Sequence, residues 1–219
     1  MKLTKYAQSC VLVESKGKRI LVDPGNINYE DSLLEKDWAN VNAILVTHRH
    51  SDHCHDPAIK ALVGKGARFY STREVAEAHS ELSPEIVKQG DEIELGGLKA
   101  RVVKAVHGYH PLMKDGKAIK ENVGFIINDG EASVYLTSDT ICFENDFKCD
   151  IIFVPVCNHC VTMGASEAAL FAKETGARIV VPCHYDSPKH PVDLEQVKKE
   201  FEKEEVEYTI LESGESIEV

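Results

Sequence analysis

The stretch VTHRHSDHCHD, residues 46–56, holds four of the chain's ten histidines and two aspartates within eleven positions. Neutral imidazole and carboxylate are the side chains that zinc, iron and manganese take up. His48 and His50, two apart, can turn both rings toward one cation, while Asp52 and His53 continue round the same turn and can face a second. Three further residues match this chemistry from a distance. His107 follows the run RVVKAV, Asp139 follows SVYLTS and His184 follows RIVVPC. His107 would complete the first set and His184 the second, with the paired oxygens of Asp139 bridging the two. Any one of these residues alone is ordinarily a hydrogen-bonded surface or core group, and an aspartate in TSDT ordinarily caps a turn. Together with four ligating residues in six positions, they specify a centre for two divalent cations, zinc first, with manganese or iron as alternatives.

Two cations held this closely imply hydrolysis. A hydroxide shared between them is a nucleophile at neutral pH, because coordination lowers the pKa of water from about 15.7 to about 7. One cation polarises a carbonyl or phosphoryl oxygen and the other stabilises the leaving oxygen. Asp52 is the expected catalytic carboxylate, orienting the hydroxide and accepting its proton while it also touches the second cation.

Seven ligands scattered over the chain need a framework that delivers them to one place. Residues 2–6, 10–15 and 19–24 read as short strands joined by tight turns at KGK and DPG. VNAILVT, residues 41–47, is a β-branched apolar run that ends at His48, and helix-like spacing follows in PAIKALVGKG. ARFYS and TREVAEAHSEL repeat strand then helix. From residue 92 strands return: EIEL, LKARVVKAV, VGFIIND and ASVYLTS. DIIFVPV, helical SEAALFAKETG, ARIVVPC, helical VDLEQVKKEFEKE and the pair EYTIL and SIEV close the chain. Runs of strands mixed with strand–helix alternation imply sheets covered by helices on their outer faces. The expected fold is α/β: a four-layer αβ/βα sandwich of two mixed β-sheets, in one domain over residues 1–219. Strand ends then gather the ligands at one edge of the sandwich, where sites in α/β proteins lie. The long, weakly patterned stretches 25–38 and 108–122 are the loops expected to serve that edge.

Composition narrows the partners. At 219 residues and 43% hydrophobic content the chain can bury a substantial core. No apolar run approaches the roughly 20 residues that span a bilayer, and the N-terminus lacks a signal-like apolar segment. The expected location is cytoplasmic, which suits seven cysteines kept as thiols. A net charge of −11 opposes polyanions, so nucleic acid is disfavoured and a small-molecule substrate expected.

The motif HRHSDH resembles the HxHxDH signature of the metallo-β-lactamase superfamily, and His107, Asp139 and His184 fall in that family's order. The opening KLTKYAQSCVLVESKGKRILVDPG, DIIFVPV followed by VTMGASEAA, and VVPCHYD are similar to small single-domain metal-dependent hydrolases related to L-ascorbate-6-phosphate lactonase. The resemblance implies His48, His50 and His107 on metal one, Asp52, His53 and His184 on metal two, Asp139 as the bridge, and Asp23 as a buried supporting aspartate. Two departures bear on substrate. Ala7, Gln8 and Ser9 stand where relatives often carry Gly-His-Ser, and Cys157-Asn158-His159-Cys160 replaces a glycine-containing turn.

The other histidines have simpler readings. His110 precedes Pro111 inside a loop, so His107, delivered directly by its strand, is the expected ligand. His55 lies at the site mouth or in solvent, and His79 and His190 read as surface residues. Tyr185 packs in the core or donates to substrate, while Asp56 and Asp186 flank ligands and face solvent. The leading expectation is a hydrolase acting on a small anionic ester, lactone or phosphoester. A phosphodiesterase or nuclease would need a basic groove or an added arm, and a non-catalytic metal- or redox-responsive protein would use the CNHC loop as its sensor.

Overall fold

A computed structural model describes residues 1–110, 118–159 and 161–219. Part of the long 108–122 loop, together with Cys160 of the CNHC sequence, lies outside the described residues. The first sheet is built from β1 (Lys2–Lys5), β2 (Val11–Ser15), β3 (Lys18–Val22), β4 (Ala43–Val46), β5 (Arg68–Ser71) and the short β6 (Glu85–Ile86). The second contains β7 (Glu92–Glu94), β8 (Lys99–Lys104), β9 (Val123–Asn128), β10 (Ser133–Leu136), β11 (Ile151–Pro155) and β12 (Ile179–Cys183). β13 (Ser216–Glu218) returns to pair with β1, giving the orders β13-β1-β2-β3-β4-β5-β6 and β12-β11-β10-β9-β8-β7. Each sheet changes from antiparallel to parallel pairing part-way across, at β3–β4 in the first and β10–β11 in the second.

Alternation along the strands explains the layers. In β4, Ala43 and Leu45 join the cluster between the sheets, which also takes Val13 and Val22 from the first sheet and Phe125, Leu136 and Phe153 from the second. Ile44 and Val46 point the other way, onto Ala58, Ile59 and Leu62 of α1 (Asp56–Gly64), with Val75 of α2 (Arg73–Ala78) in the same layer. Tyr135, Ile152 and Val154 likewise face outward onto α3 (Ala165–Thr175) and α4 (Leu194–Lys203). Strands buried on both faces are apolar throughout, which is the mark of sheets covered by helices. The architecture is the expected sandwich of two mixed sheets between helical layers.

Local chemistry sets the helix ends. The Glu167 carboxylate accepts from the Gly164 amide at 2.9 Å to start α3, and Gly176, with φ of 70°, ends it in the left-handed region. Asp193 caps α4 by accepting from the Glu195 and Gln196 amides.

Three elements differ from the sequence expectation. The helix expected over residues 72–82 stops at Ala78, because His79 leaves helical geometry at φ −126° and ψ 59°. Residues 207–211 form no strand; Tyr208 makes one parallel bridge to Val180 before the chain turns. β8 ends at Lys104 rather than running into His107, because Val106 exchanges its β9 partner for the 139–141 segment. Its amide donates to Thr140 Oγ1 and its carbonyl accepts from the Ile141 amide, both at 2.9 Å.

The β9–β10 turn is closed by Asp129, whose carboxylate accepts from Ser15 Oγ at 2.6 Å and from the Glu131 and Ala132 amides at 2.9 Å. Burial pushes this carboxyl up, but those donors outweigh it and hold the group at about 2. The folded pKa lies below the ordinary value of about 3.9, so the stabilisation is complete above that value and fades as pH falls through about 2. Asp129→Ala is expected to cost about 1–3 kcal/mol at neutral pH. Urea unfolding of both proteins across the acid range should show the gap narrowing between about pH 4 and the folded pKa.

Candidate metal centre

The site begins where β3 and β4, parallel neighbours, leave their sheet. Asp23 follows β3 with φ of 49°, and Thr47 and His48 follow β4. Asp23 Oδ1 accepts from the Thr47 amide and Oδ2 from Thr47 Oγ1, each at 2.8 Å. His53 Nδ1 lies 2.8 Å from the same Oδ2, and Thr47 Oγ1 lies 3.0 Å from His48 Nδ1. Since the threonine hydroxyl donates to Asp23, it accepts from His48 Nδ1–H. Asp23 accepts from His53 Nδ1–H, and the Gly108 carbonyl accepts from His107 Nδ1–H at 2.8 Å. These acceptors fix one tautomer in all three rings, leaving each Nε2 lone pair for a ligand role.

Gly25 completes the cradle. Its neighbours clamp the 51–55 turn through Asn26 N–H to the Ser51 carbonyl and His55 N–H to the Pro24 carbonyl, both at 2.9 Å. A Cβ on Gly25 would fall 1.8 Å from the Asp52 carbonyl oxygen, so only glycine permits this approach.

All seven expected ligands are brought together. Donor atoms of His48, His50, His107 and Asp139 lie within 4.8 Å of one another, and so do those of Asp52, His53 and His184. His48 Nε2 is 3.1 Å from His50 Nδ1. Asp139 stands between the groups, with Oδ1 3.2 Å from His53 Nε2 and Oδ2 3.2 Å from His184 Nε2. His184, with φ of 63°, reaches the site directly from β12.

The donor set fits cations on two counts. His107 Nε2 is buried without a hydrogen-bond partner, and His53 Nε2 and Asp139 Oδ1, 3.2 Å apart, are buried with no partner but each other, an arrangement that costs free energy unless something takes up these atoms. Electrostatics agree. Burial works against charge on His53 and His184, yet the Asp139 carboxylate outweighs it and holds both rings well above the usual imidazole range. Asp139 in turn is pushed up by burial and pulled further down by His184 and His53. His50 is driven by burial, with the neighbouring His107 and His53 adding to it and Asp52 and Asp139 opposing, down to about 4. The centre therefore demands positive charge beside Asp139 and keeps a neutral imidazole at His50.

A family model described as the beta-lactamase superfamily domain matches residues 2–184. The chain belongs to the metallo-β-lactamase superfamily. A UPF0173 metal-dependent hydrolase of Bacillus cereus is 30% identical over 232 residues, covering 99% of each chain. A counterpart from Methanopyrus kandleri is 30% identical over 233 residues, covering 100% of both. Among solved structures, the metallo hydrolase Igni18 of the hyperthermophilic archaeon Ignicoccus hospitalis superposes with a TM-score of 0.80 at 25% identity, over 99% of this chain and 97% of that one.

Several supporting residues carry no local pattern that assigns them a supporting role. Gln8, with φ of 58° and 1% exposed, enters the site from the β1–β2 connection. Its Oε1 accepts from the Asp186 amide, which fixes the side-chain amide so that Nε2 faces His184 and donates to Asp52 Oδ2 at 3.3 Å. Asp186, expected in solvent, instead binds buried Lys5 at 2.9 Å and the Gln8 amide at 2.7 Å. Tyr185 packs its ring under Lys5 and donates to the Leu211 carbonyl, so it is a structural tyrosine.

His79 is a brace rather than a surface residue: Nδ1 pairs with Asp56 at 2.7 Å and Nε2 meets the Arg49 carbonyl at 3.2 Å. Cys54 joins these two as a possible ligand group, but both His79 nitrogens are already engaged. His55 packs against Tyr29 with ring centres 4.5 Å apart and planes tilted by 59°. His159 of the CNHC loop packs between His110 and His190, and Cys157 is among the groups that help hold the His184 ring charged. These contacts place the loop against the site without adding it to either ligand group.

Asp23→Asn removes the charged acceptor that orients His53 and should weaken metal binding about 10- to 100-fold, read by competition with a chromogenic chelator. Gly25→Ala, which displaces the Asp52 backbone, should lower affinity in the same assay. Unchanged binding in both would show that the cradle does not shape the centre.

Proposed function

We propose that this metal-dependent hydrolase holds two divalent cations, zinc first, with His48, His50 and His107 on one, Asp52, His53 and His184 on the other, and Asp139 between them. The observation that carries this reading is the set of buried donor atoms on His53, His107 and Asp139, which converge from both sheets and have no hydrogen-bond partner outside the cluster. The substrate class we assign is a small ester, lactone or phosphoester, handled by one unit spanning residues 1–219. Cytoplasmic residence accords with the free cysteines at positions 10, 54, 142, 149, 157 and 183.

Bound cations would supply an activated water at neutral pH and polarise the scissile carbonyl or phosphoryl group. The chain's own contribution is positional. Burial raises the Asp52 carboxyl, but His53 and the hydrogen bond with His184 outweigh it, so Asp52 stays ionised. Its side chain is 27% exposed against 3% for Asp139, which makes it the carboxylate that a reacting water can reach. Water oxygen bonds to the acyl carbon or phosphorus, and its proton passes to Asp52 Oδ2. The bond to the leaving oxygen breaks, and that oxygen takes the proton. Gln8 Nε2–H holds Asp52 Oδ2 in place throughout, while Asn122 Nδ2 and Oδ1 pin the Asp139 segment through the Asp139 carbonyl and Ser138 Oγ.

The test combines metal analysis with a panel of lactones, carboxylic esters, phosphomonoesters and phosphodiesters. Protein purified without chelator is expected to carry about two equivalents of metal and to hydrolyse one class. Asp52→Ala should cut that activity on the order of 10²–10⁴-fold, and His48→Ala with Asp139→Ala should remove the metal. Absence of metal, with every activity indifferent to these changes, would overturn the proposal.

A further inference from the structure

A cavity of about 670 Å³ opens beside the candidate metal centre, between the β6 edge of the first sheet and the chain segment 119–123. His107, one of the candidate ligands, is among its lining residues. Its lining also includes Arg73, Lys88 and Lys120, whose side-chain cations have no ion pair or hydrogen bond among the described residues. In a chain of net charge −11, three cations against the two carboxylates Asp91 and Glu121 give this cavity a net positive lining. Two carboxylates share the wall but are engaged locally. Asp91 Oδ2 accepts from the Lys88 amide at 3.0 Å, and Glu121 Oε2 accepts from the Glu74 amide at 2.9 Å. The rest of the lining includes apolar Ile86, 48% exposed, and Ile119.

The wall is held to the metal-ligand turn. Glu74 Oε2 accepts from the Lys120 and Glu121 amides at 2.8 Å, while Oε1 pairs with Arg49 Nε at 3.0 Å. Arg49 Nη2 donates to the Ala118 carbonyl at 3.1 Å, and Arg49 itself sits between His48 and His50. Backbone acceptors and donors of segment 118–121 are thereby fixed from both ends, so the cavity has a defined wall next to the ligands.

From these observations we infer that the cavity is a recognition subsite for the remote part of the substrate: an apolar chain ending in an anionic group, held by Arg73, Lys88 and Lys120. This rests on the hydrolase reading above and deepens it. The substrate is an ester or lactone whose acyl portion carries an anion several atoms from the bond that breaks. Ile86 and Ile119 cover the intervening carbons, and His107 marks the end nearest the reacting group.

Hexanoate, which carries both features, is the probe. Isoleucine methyl resonances of the metal-loaded protein are followed while hexanoate or neutral 1-hexanol is added. Saturable shifts at Ile86 and Ile119 with hexanoate are expected, and the combined variant Arg73→Ala, Lys88→Ala, Lys120→Ala should weaken that binding about tenfold or more. Equal shifts with hexanol, no shift at either isoleucine, or an affinity unmoved by the triple variant would overturn the subsite; hexanoate held only at the metals gives the second of these results. A matched pair of esters, one with a terminal carboxylate and one without, supplies the kinetic arm: the triple variant should lower the preference for the anionic ester about tenfold in kcat/KM. Hydrolysis of neither ester, with the methyl shifts intact, would overturn the assignment of a carboxylic ester as substrate and leave the binding subsite standing.

Discussion

The arrangement depends on one buried carboxylate. Asp23 is 1% exposed, and its two oxygens take the Thr47 amide, the Thr47 hydroxyl and His53 Nδ1. A buried carboxylate is tolerated only when its hydrogen bonds are complete. Completing them requires β3 and β4 to lie in the register that sets Val22 beside Leu45, because a shift of one residue turns every side chain to the other face. The ligand turn then has little freedom. Asp23 fixes its start at Thr47 and its middle at His53, and Gly25 lets the backbone of the preceding turn press against Asp52.

Strand direction explains why distant residues arrive at this place. β1 and β3 both run antiparallel to β2, so the connection after β1 delivers Gln8 to the edge where Asp23 and His48 emerge. In the second sheet, β8 and β10 both run antiparallel to β9, and β12 lies parallel to β11 and hence to β10. His107, Asp139 and His184 therefore leave by one edge. The inner layer of Leu45, Val22, Phe125, Leu136 and Phe153 sets the separation of the sheets. Asp139 can meet His53 across that gap only because the core between them is packed.

This geometry also explains which residues were legible. An apolar run ending in histidine or aspartate is a local pattern, so His48, Asp139 and His184 stand out in the sequence. His107 was equally visible, although its strand gives way two residues earlier than its apolar texture suggests, when Val106 turns to Thr140. Gln8 and Asp186 carry no such pattern. Their roles arise from a contact between residues 178 positions apart, fixed by two-way hydrogen bonds between their backbone and side chains. His79 looked like a helical surface residue because the spacing of TREVAEAHSEL runs past the point where the helix ends. Strand β6, two residues long, is too short for alternation to show.

Several strained residues and buried, weakly satisfied polar atoms lie at the candidate ligands. Gln8, Asp23, Ser138 and His184 all hold positive φ without being glycine, a conformation that costs on the order of 1–3 kcal/mol each. The sandwich holds these residues in place through buried strands on both sides, and a ligand that binds only the folded chain would return part of the cost. The same logic extends outward through Arg49, which joins the ligand turn to Glu74 and the 118–121 wall. A change in the position of His48 or His50 must move Arg49, and with it the surface beside His107. The placement of the candidate ligands and the shape of the neighbouring cavity are thus set by one continuous set of hydrogen bonds.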